Sequence, residues 1–292
     1  MRWNPGGRSS NLEDRRGSSG GGLGGGGFGF GGGGGGGARL GIGGVIILAI
    51  LSAVFGRDFV GGATDGGAPT SAVAPAEGGA ITDPSEETMV QFMSAVLDSA
   101  QGTWSRLLPQ YTPAKLVLFR DATETACGFG QAASGPFYCP GDQKVYVDLS
   151  FFDQLDRQFG APGDFAQAYV IAHEIGHHVQ NLTGTERELR RAQGQNPGQA
   201  NALSVAMELQ ADCYAGVWAN AAAKGGYLDP GDIDEGLGAA AAVGDDRLQK
   251  ASTGRVNPES FTHGSSAERR TWFRRGFDSG NPNQCDTFAG QR

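Results

Sequence analysis

Apolar residues recur along the chain with two different periods. Met89, Met93, Val96, Leu97, Ala100 and Trp104 return every three or four positions, which predicts a helix with one core-facing stripe. Just ahead of them, in Thr82-Asp83-Pro84-Ser85-Glu86, Asp83 suits a helix cap, Pro84 the first position and Glu86 the return bond of a capping box. Lys115 to Arg120 and Lys144 to Leu149 are short β-branched and aromatic runs and predict two strands, the second entered through the turn residues Pro140-Gly141-Asp142. The helical period then takes over at Asp164 to about Leu182, Pro197 to Lys224, Asp232 to Gln249 and Ser265 to Gly276, with Gly225-Gly226 stopping the second. Gln193 to Gln199 stands between the first two as a linker that could cover a cleft or be only a loop. A small sheet followed by a run of helices is an α+β arrangement.

Glycine alters the reading of the first eighty residues, which hold more than half of the chain's 51 glycines, including the run Gly31 to Gly37. Such a stretch loses much backbone entropy on ordering and buries few side chains, so residues 1–38 are predicted to be a disordered arm. Leu40 to Gly56 is uncharged and is flanked by Arg39 and Arg57, so residues 39–57 read as a single-pass membrane helix at the short end of the spanning range. A buried core helix and a cleaved signal peptide are the competing readings, each weakly supported by its surroundings. Residues 58–81 are a flexible Gly/Ala/Pro/Thr/Ser linker, and residues 82–292 form the folded domain. Five arginines precede the apolar run and no Lys or Arg follows Arg57 until Arg106, so the N-terminus is predicted to be cytoplasmic and the folded domain extracytoplasmic.

The net charge of -8 disfavours nucleic acid as a partner. The pairs Arg269-Arg270 and Arg274-Arg275 are a local basic exception, read as a solvated or salt-bridged helix face. Cys127, Cys139, Cys213 and Cys285 contain no Cys-x-x-Cys pair and fit disulfides in an exported domain. Cys127 to Cys139 with Cys213 to Cys285 is the most local of the three possible pairings.

The densest chemical information lies in His173-Glu174-Ile175-Gly176-His177. Two histidines four apart on a helix project from one face and can meet one metal ion, while the intervening Glu174 reaches a neighbouring water. From the chain's own His and Glu frequencies, chance gives this spacing in roughly two of a thousand such sequences. The apolar stripe Phe165, Ala168, Ala172, Ile175 and Val179 runs on another face, which separates both histidines from the core; His178 points elsewhere and reads as a surface residue. The metzincin extension fails, because Gln180 and Thr183 occupy its Gly and third His positions. Glu208 and Asp212, four apart in a mostly apolar helix, supply a third ligand and a carboxylate able to accept the outer N–H of a ligand histidine.

His173 to Gln180, Glu208 to Gly216 and Phe261-Thr262-His263-Gly264-Ser265-Ser266 together resemble the gluzincins and, over nearly the full chain, the bacterial neutral zinc metallopeptidase family. The resemblance implies a zincin-like α+β domain, a small antiparallel sheet followed by a helical bundle carrying the metal site, and one Zn2+ per chain. It implies a membrane-anchored peptidase in which His173, His177 and Glu208 hold zinc and Glu174 activates the attacking water. His263, next to the capping box Ser265 to Glu268, is either a second donor to the oxyanion or a loop histidine. Val145-Tyr146-Val147 is a candidate edge strand for an extended peptide substrate. A zinc amidase acting on cell-wall peptides and a non-catalytic zinc-containing envelope binding protein are the alternatives.

Overall fold

The structure is a computed structural model that describes residues 1–4, 6–17, 84–131 and 135–289. The predicted first helix is α1 (Pro84–Leu107), and Met93, Val96, Leu97, Ala100 and Trp104 of its stripe are buried. Asp83, its expected cap, lies outside the described residues, and Glu86 is occupied by the guanidinium groups of Arg16 and Arg120. Next comes β2 (Lys115–Phe119), which together with β6 (Lys144–Asp148) forms the sheet's interior pair, parallel, with Leu116 opposite Val145. The chain between them forms a separate antiparallel hairpin, β3 (Ala122–Thr125) with β4 (Gly128–Gln131), and then β5 (Phe137–Cys139), antiparallel to β6. That connection is long enough for β6 to return parallel to β2, so the sheet is mixed and not the predicted antiparallel one. Its order is β1-β2-β6-β5, with β1 (Leu12–Asp14) parallel to β2. Val145-Tyr146-Val147 is therefore interior, and among the described strands β1 and β5 stand at the edges.

The helices that follow are α2 (Ser150–Arg157), α3 (Asp164–Thr183), α4 (Thr185–Gln195), α5 (Ala200–Lys224), α6 (Asp232–Ala242), α7 (Asp245–Thr253) and α8 (Ser266–Ser279). Helix α4 fills the stretch between the first two predicted long helices and ends at Gln195, inside the predicted linker Gln193–Gln199, whose last three residues form a 3-10 turn. It has no buried residue and hence no apolar stripe to announce it. The predicted helix over Asp232 to Gln249 is two helices, broken at Val243-Gly244, where a Cβ on Gly244 would lie 2.5 Å from the Ser266 nitrogen. The helices close on one another through small residues. A Cβ on Gly176 of α3 would meet the Ala211 carbonyl of α5 at 3.0 Å, and one on Gly276 of α8 would overlap the Cys213 carbonyl of α5. These contacts bring the two helices bearing the predicted metal ligands, and α8 behind them, to backbone distance.

Disulfides Cys127–Cys139 and Cys213–Cys285 form the most local pairing; the first joins the end of the β3–β4 turn to β5 and the second ties α5 to the C-terminal segment. The larger departure from expectation is at the N-terminus. Residues 1–17, predicted as part of a disordered arm, pack on the domain: β1 extends the sheet, Trp3 meets Phe92 and the Arg16 side chain is buried between Asp14 and Glu86. Averaging composition over 38 residues hid this, because Met1–Gly17 is poor in glycine and finds its ionic partners on the distant domain. The apolar run Leu40–Gly56 and the linker 58–81 lie outside the described residues. Among the described residues no helix is long and apolar enough to cross a membrane.

Candidate metal centre

Helix α3 presents His173 and His177 one turn apart, their rings perpendicular with centroids 4.8 Å apart. Helix α5 brings Glu208 opposite them. Nε2 of His173 lies 3.2 Å from one Glu208 oxygen, and Nε2 of His177 lies 3.5 Å from the other. The outer ring nitrogens are both held by acceptors: His173 Nδ1 donates to Asp212 Oδ1 at 2.9 Å and His177 Nδ1 to the Gln180 amide oxygen at 2.8 Å. With the proton on each Nδ1, both Nε2 lone pairs point into the space shared with Glu208. Two imidazoles and one carboxylate, converging and tautomerically fixed, are the donor set that a hydrolytic zinc ion takes, with one position left for water.

The charges of the cluster are strongly coupled. Burial opposes charge on His173, yet the charge and hydrogen bond of Asp212, with Glu208, push its pKa up to about 10. Burial alone would raise Glu208, but His177, the bond from His173 and His263 hold it well below the usual carboxylate range. Glu174 is buried beside the site, and desolvation pushes its pKa up against the opposing pull of His177 and His173. A raised carboxylate pKa suits a group that must take and return a proton.

Asp212 is fully buried and fully used. Arg269 of α8 donates to it through Nε at 2.8 Å and a terminal nitrogen at 2.9 Å, and the Tyr169 hydroxyl donates to the oxygen that receives His173. Burial raises this carboxyl, and Arg269 and His173 more than reverse it. His263 sits in the loop before α8, whose N-terminus carries the predicted capping box of Ser265 and Glu268. Asp245, the first residue of α7, accepts the backbone N–H groups of Thr262, His263 and Gly264 at 2.7, 2.6 and 3.1 Å and the His263 Nδ1–H at 3.2 Å. That cage aims the opposite ring nitrogen away from Asp245. Burial lowers the His263 pKa, but Asp245 and the charge of Glu208 raise it overall.

All of the predicted site residues thus gather in one region: His173, Glu174, His177, Glu208 and Asp212 at the centre, with His263 within the electrostatic reach of Glu208. His178 is corrected from surface to interior: it is fully buried, with Nδ1 against the Tyr138 hydroxyl at 2.9 Å and Nε2 donating to the Thr112 carbonyl at 2.7 Å. Its ring ties α3 to β5 and to the loop before β2, a role invisible to helix periodicity because its partners are not on a helix. Arg269 is likewise buried under the site, whereas Arg274 pairs with Asp278 as a surface charge. Tyr169, Gln180, Asp245 and Arg269 escaped the sequence reading. Tyr169 alone left a signal, standing four residues before His173 on the same helix face.

Residues 1–288 match the family described as "Putative neutral zinc metallopeptidase". The chain is 48% identical to the Escherichia coli K12 protein named "Uncharacterized protein YpfJ", over 99% of each chain. It is 50% identical to the Mycobacterium tuberculosis H37Rv protein named "Uncharacterized protein Rv2575", over 66% of this chain and 68% of that one. No solved structure matches it.

Proposed function

The chain belongs to the neutral zinc metallopeptidase family, and from that membership and the geometry of the site we propose that it hydrolyses peptide bonds with one zinc ion held by His173, His177 and Glu208. The observation that carries the proposal is the convergence of both Nε2 atoms on the Glu208 carboxylate while both Nδ1 atoms are held by oxygen acceptors. A bound zinc ion supplies Lewis acidity and lowers the pKa of water towards about 7. Glu174 accepts the proton of the attacking water and returns it to the leaving amine. His263, oriented by Asp245, donates from its outer nitrogen to the oxyanion that develops on the carbonyl. Asp212 and Arg269 act behind the ligands, keeping the His173 ring in place.

We assign the domain to an oxidising compartment outside the cytoplasm, where two disulfides persist, with Leu40–Gly56 as its membrane-seeking segment and a peptide or protein as substrate. The test is Glu174→Gln in the purified full chain, assayed on a broad peptide library and on peptidoglycan fragments. The variant should retain about one zinc per chain and lose about 10²–10⁴-fold in hydrolysis. Cleavage of the peptidoglycan fragments alone would redirect the assignment to a cell-wall amidase. Bound zinc with no chelator-sensitive cleavage of either set by the unmodified chain would refute hydrolysis in favour of a binding protein.

A further inference from the structure

A second cluster of converging acidic groups lies away from the zinc ligands, formed by Asp164, Asp232 and Glu235. Its donor set invites a cation, and one is there: the α-ammonium of Met1. This nitrogen lies 3.0 Å from Asp164, 3.3 Å from Asp232 and 3.5 Å from Asp229, and Asp232 is almost completely buried. Two of the three carboxylates open helices, Asp164 at the start of α3 and Asp232 at the start of α6, where helix dipoles already favour negative charge. The ammonium therefore pins together the N-termini of two helices, one of them the helix that carries His173 and His177.

Further contacts to the domain follow between Arg2 and Arg16. Arg2 Nε donates to Asp229 at 2.7 Å and the Arg2 N–H to the Tyr227 carbonyl at 2.7 Å. Trp3 packs on Phe92 of α1, Arg8 pairs with Glu87, and Ser9 donates to Asp98 at 2.6 Å. Leu12, Glu13 and Asp14 pair with Leu116, Val117 and Leu118, and Lys144 reaches back to Glu13 at 2.8 Å. At the far end the Arg16 guanidinium, without solvent exposure, bridges Asp14 and Glu86. Such a buried charge is retained only where its partners are fixed.

We infer that Met1–Gly17 is a resident part of the metallopeptidase domain, on the same side of any membrane as the zinc ligands. The topology follows from connectivity. A single crossing between residue 17 and residue 84 would put β1 and β2 on opposite faces of a hydrocarbon layer about 30 Å thick. Strands in one sheet lie about 4.8 Å apart, so docking and a single crossing exclude each other. This replaces the arrangement drawn from arginine bias, in which the N-terminus faces the cytoplasm and the domain faces outward.

The test uses the full chain in membranes of the cells that produce it. A water-soluble carbodiimide joins a carboxylate and an amine already in contact, so Glu13 and Lys144 should yield an amide-linked peptide pair identifiable by mass spectrometry. Glu13→Gln should abolish it. Absence of the pair in membranes where Lys144 is open to acylation would overturn the shared-side topology. None of these readouts depends on zinc or hydrolysis, so they stand apart from the proposed peptidase activity.

Discussion

His177 Nδ1 donates to Gln180 Oε1 at 2.8 Å, and that amide is itself held from behind. Gln180 Nε2 donates to the Met207 carbonyl at 2.7 Å and to the Gln210 oxygen at 3.1 Å, and Gln210 Nε2 continues to the Cys285 carbonyl at 3.0 Å. A ligand histidine is thereby oriented through two glutamines by a segment stapled to α5 through Cys213–Cys285.

Gln180→Leu removes the acceptor that keeps the proton on Nδ1 while preserving bulk. Zinc affinity should fall by about 10–100-fold, the usual effect of losing the partner of a ligand histidine. Competition with a chromophoric chelator measures this. An unaltered dissociation constant would show that the His177 tautomer is set elsewhere.

Arg269 supplies the positive charge beside Asp212 in a fully buried setting. Arg269→Met leaves that carboxylate uncompensated and should destabilise the fold by about 3–5 kcal/mol. Pairing it with Asp212→Asn should recover a large part of the loss, because the stranded charge is then gone. Urea unfolding of the two variants and the parent gives both numbers.

How far the site could be read from sequence depended on whether its partners were local. His173, Glu174 and His177 share one helix, and Glu208 and Asp212 share another, so spacing exposed all five. Arg269 comes from α8 and Asp245 from α7, and nothing in their own neighbourhoods marks them as buried partners of distant groups. The fold shows the same division. Strands β2 and β6 and helices α1, α3 and α5 carry apolar patterns strong enough to declare themselves. Strand β1 does not, because Leu12-Glu13-Asp14 is held by ladder bonds and ion pairs to residues a hundred positions away. Helix α4, without a buried side, was invisible for the opposite reason.

The two disulfides should differ in their contribution. Cys213–Cys285 closes a loop of 72 residues and Cys127–Cys139 one of 12, and loop-closure entropy makes the longer the larger stabiliser, about 4 kcal/mol against about 3. Replacing Cys213 and Cys285 with serine should therefore lower the denaturant midpoint more than replacing Cys127 and Cys139. It should also weaken zinc binding, since the Cys285 carbonyl is the far anchor of the glutamine relay. Equal zinc affinity in both pairs of variants would disconnect the staple from the site.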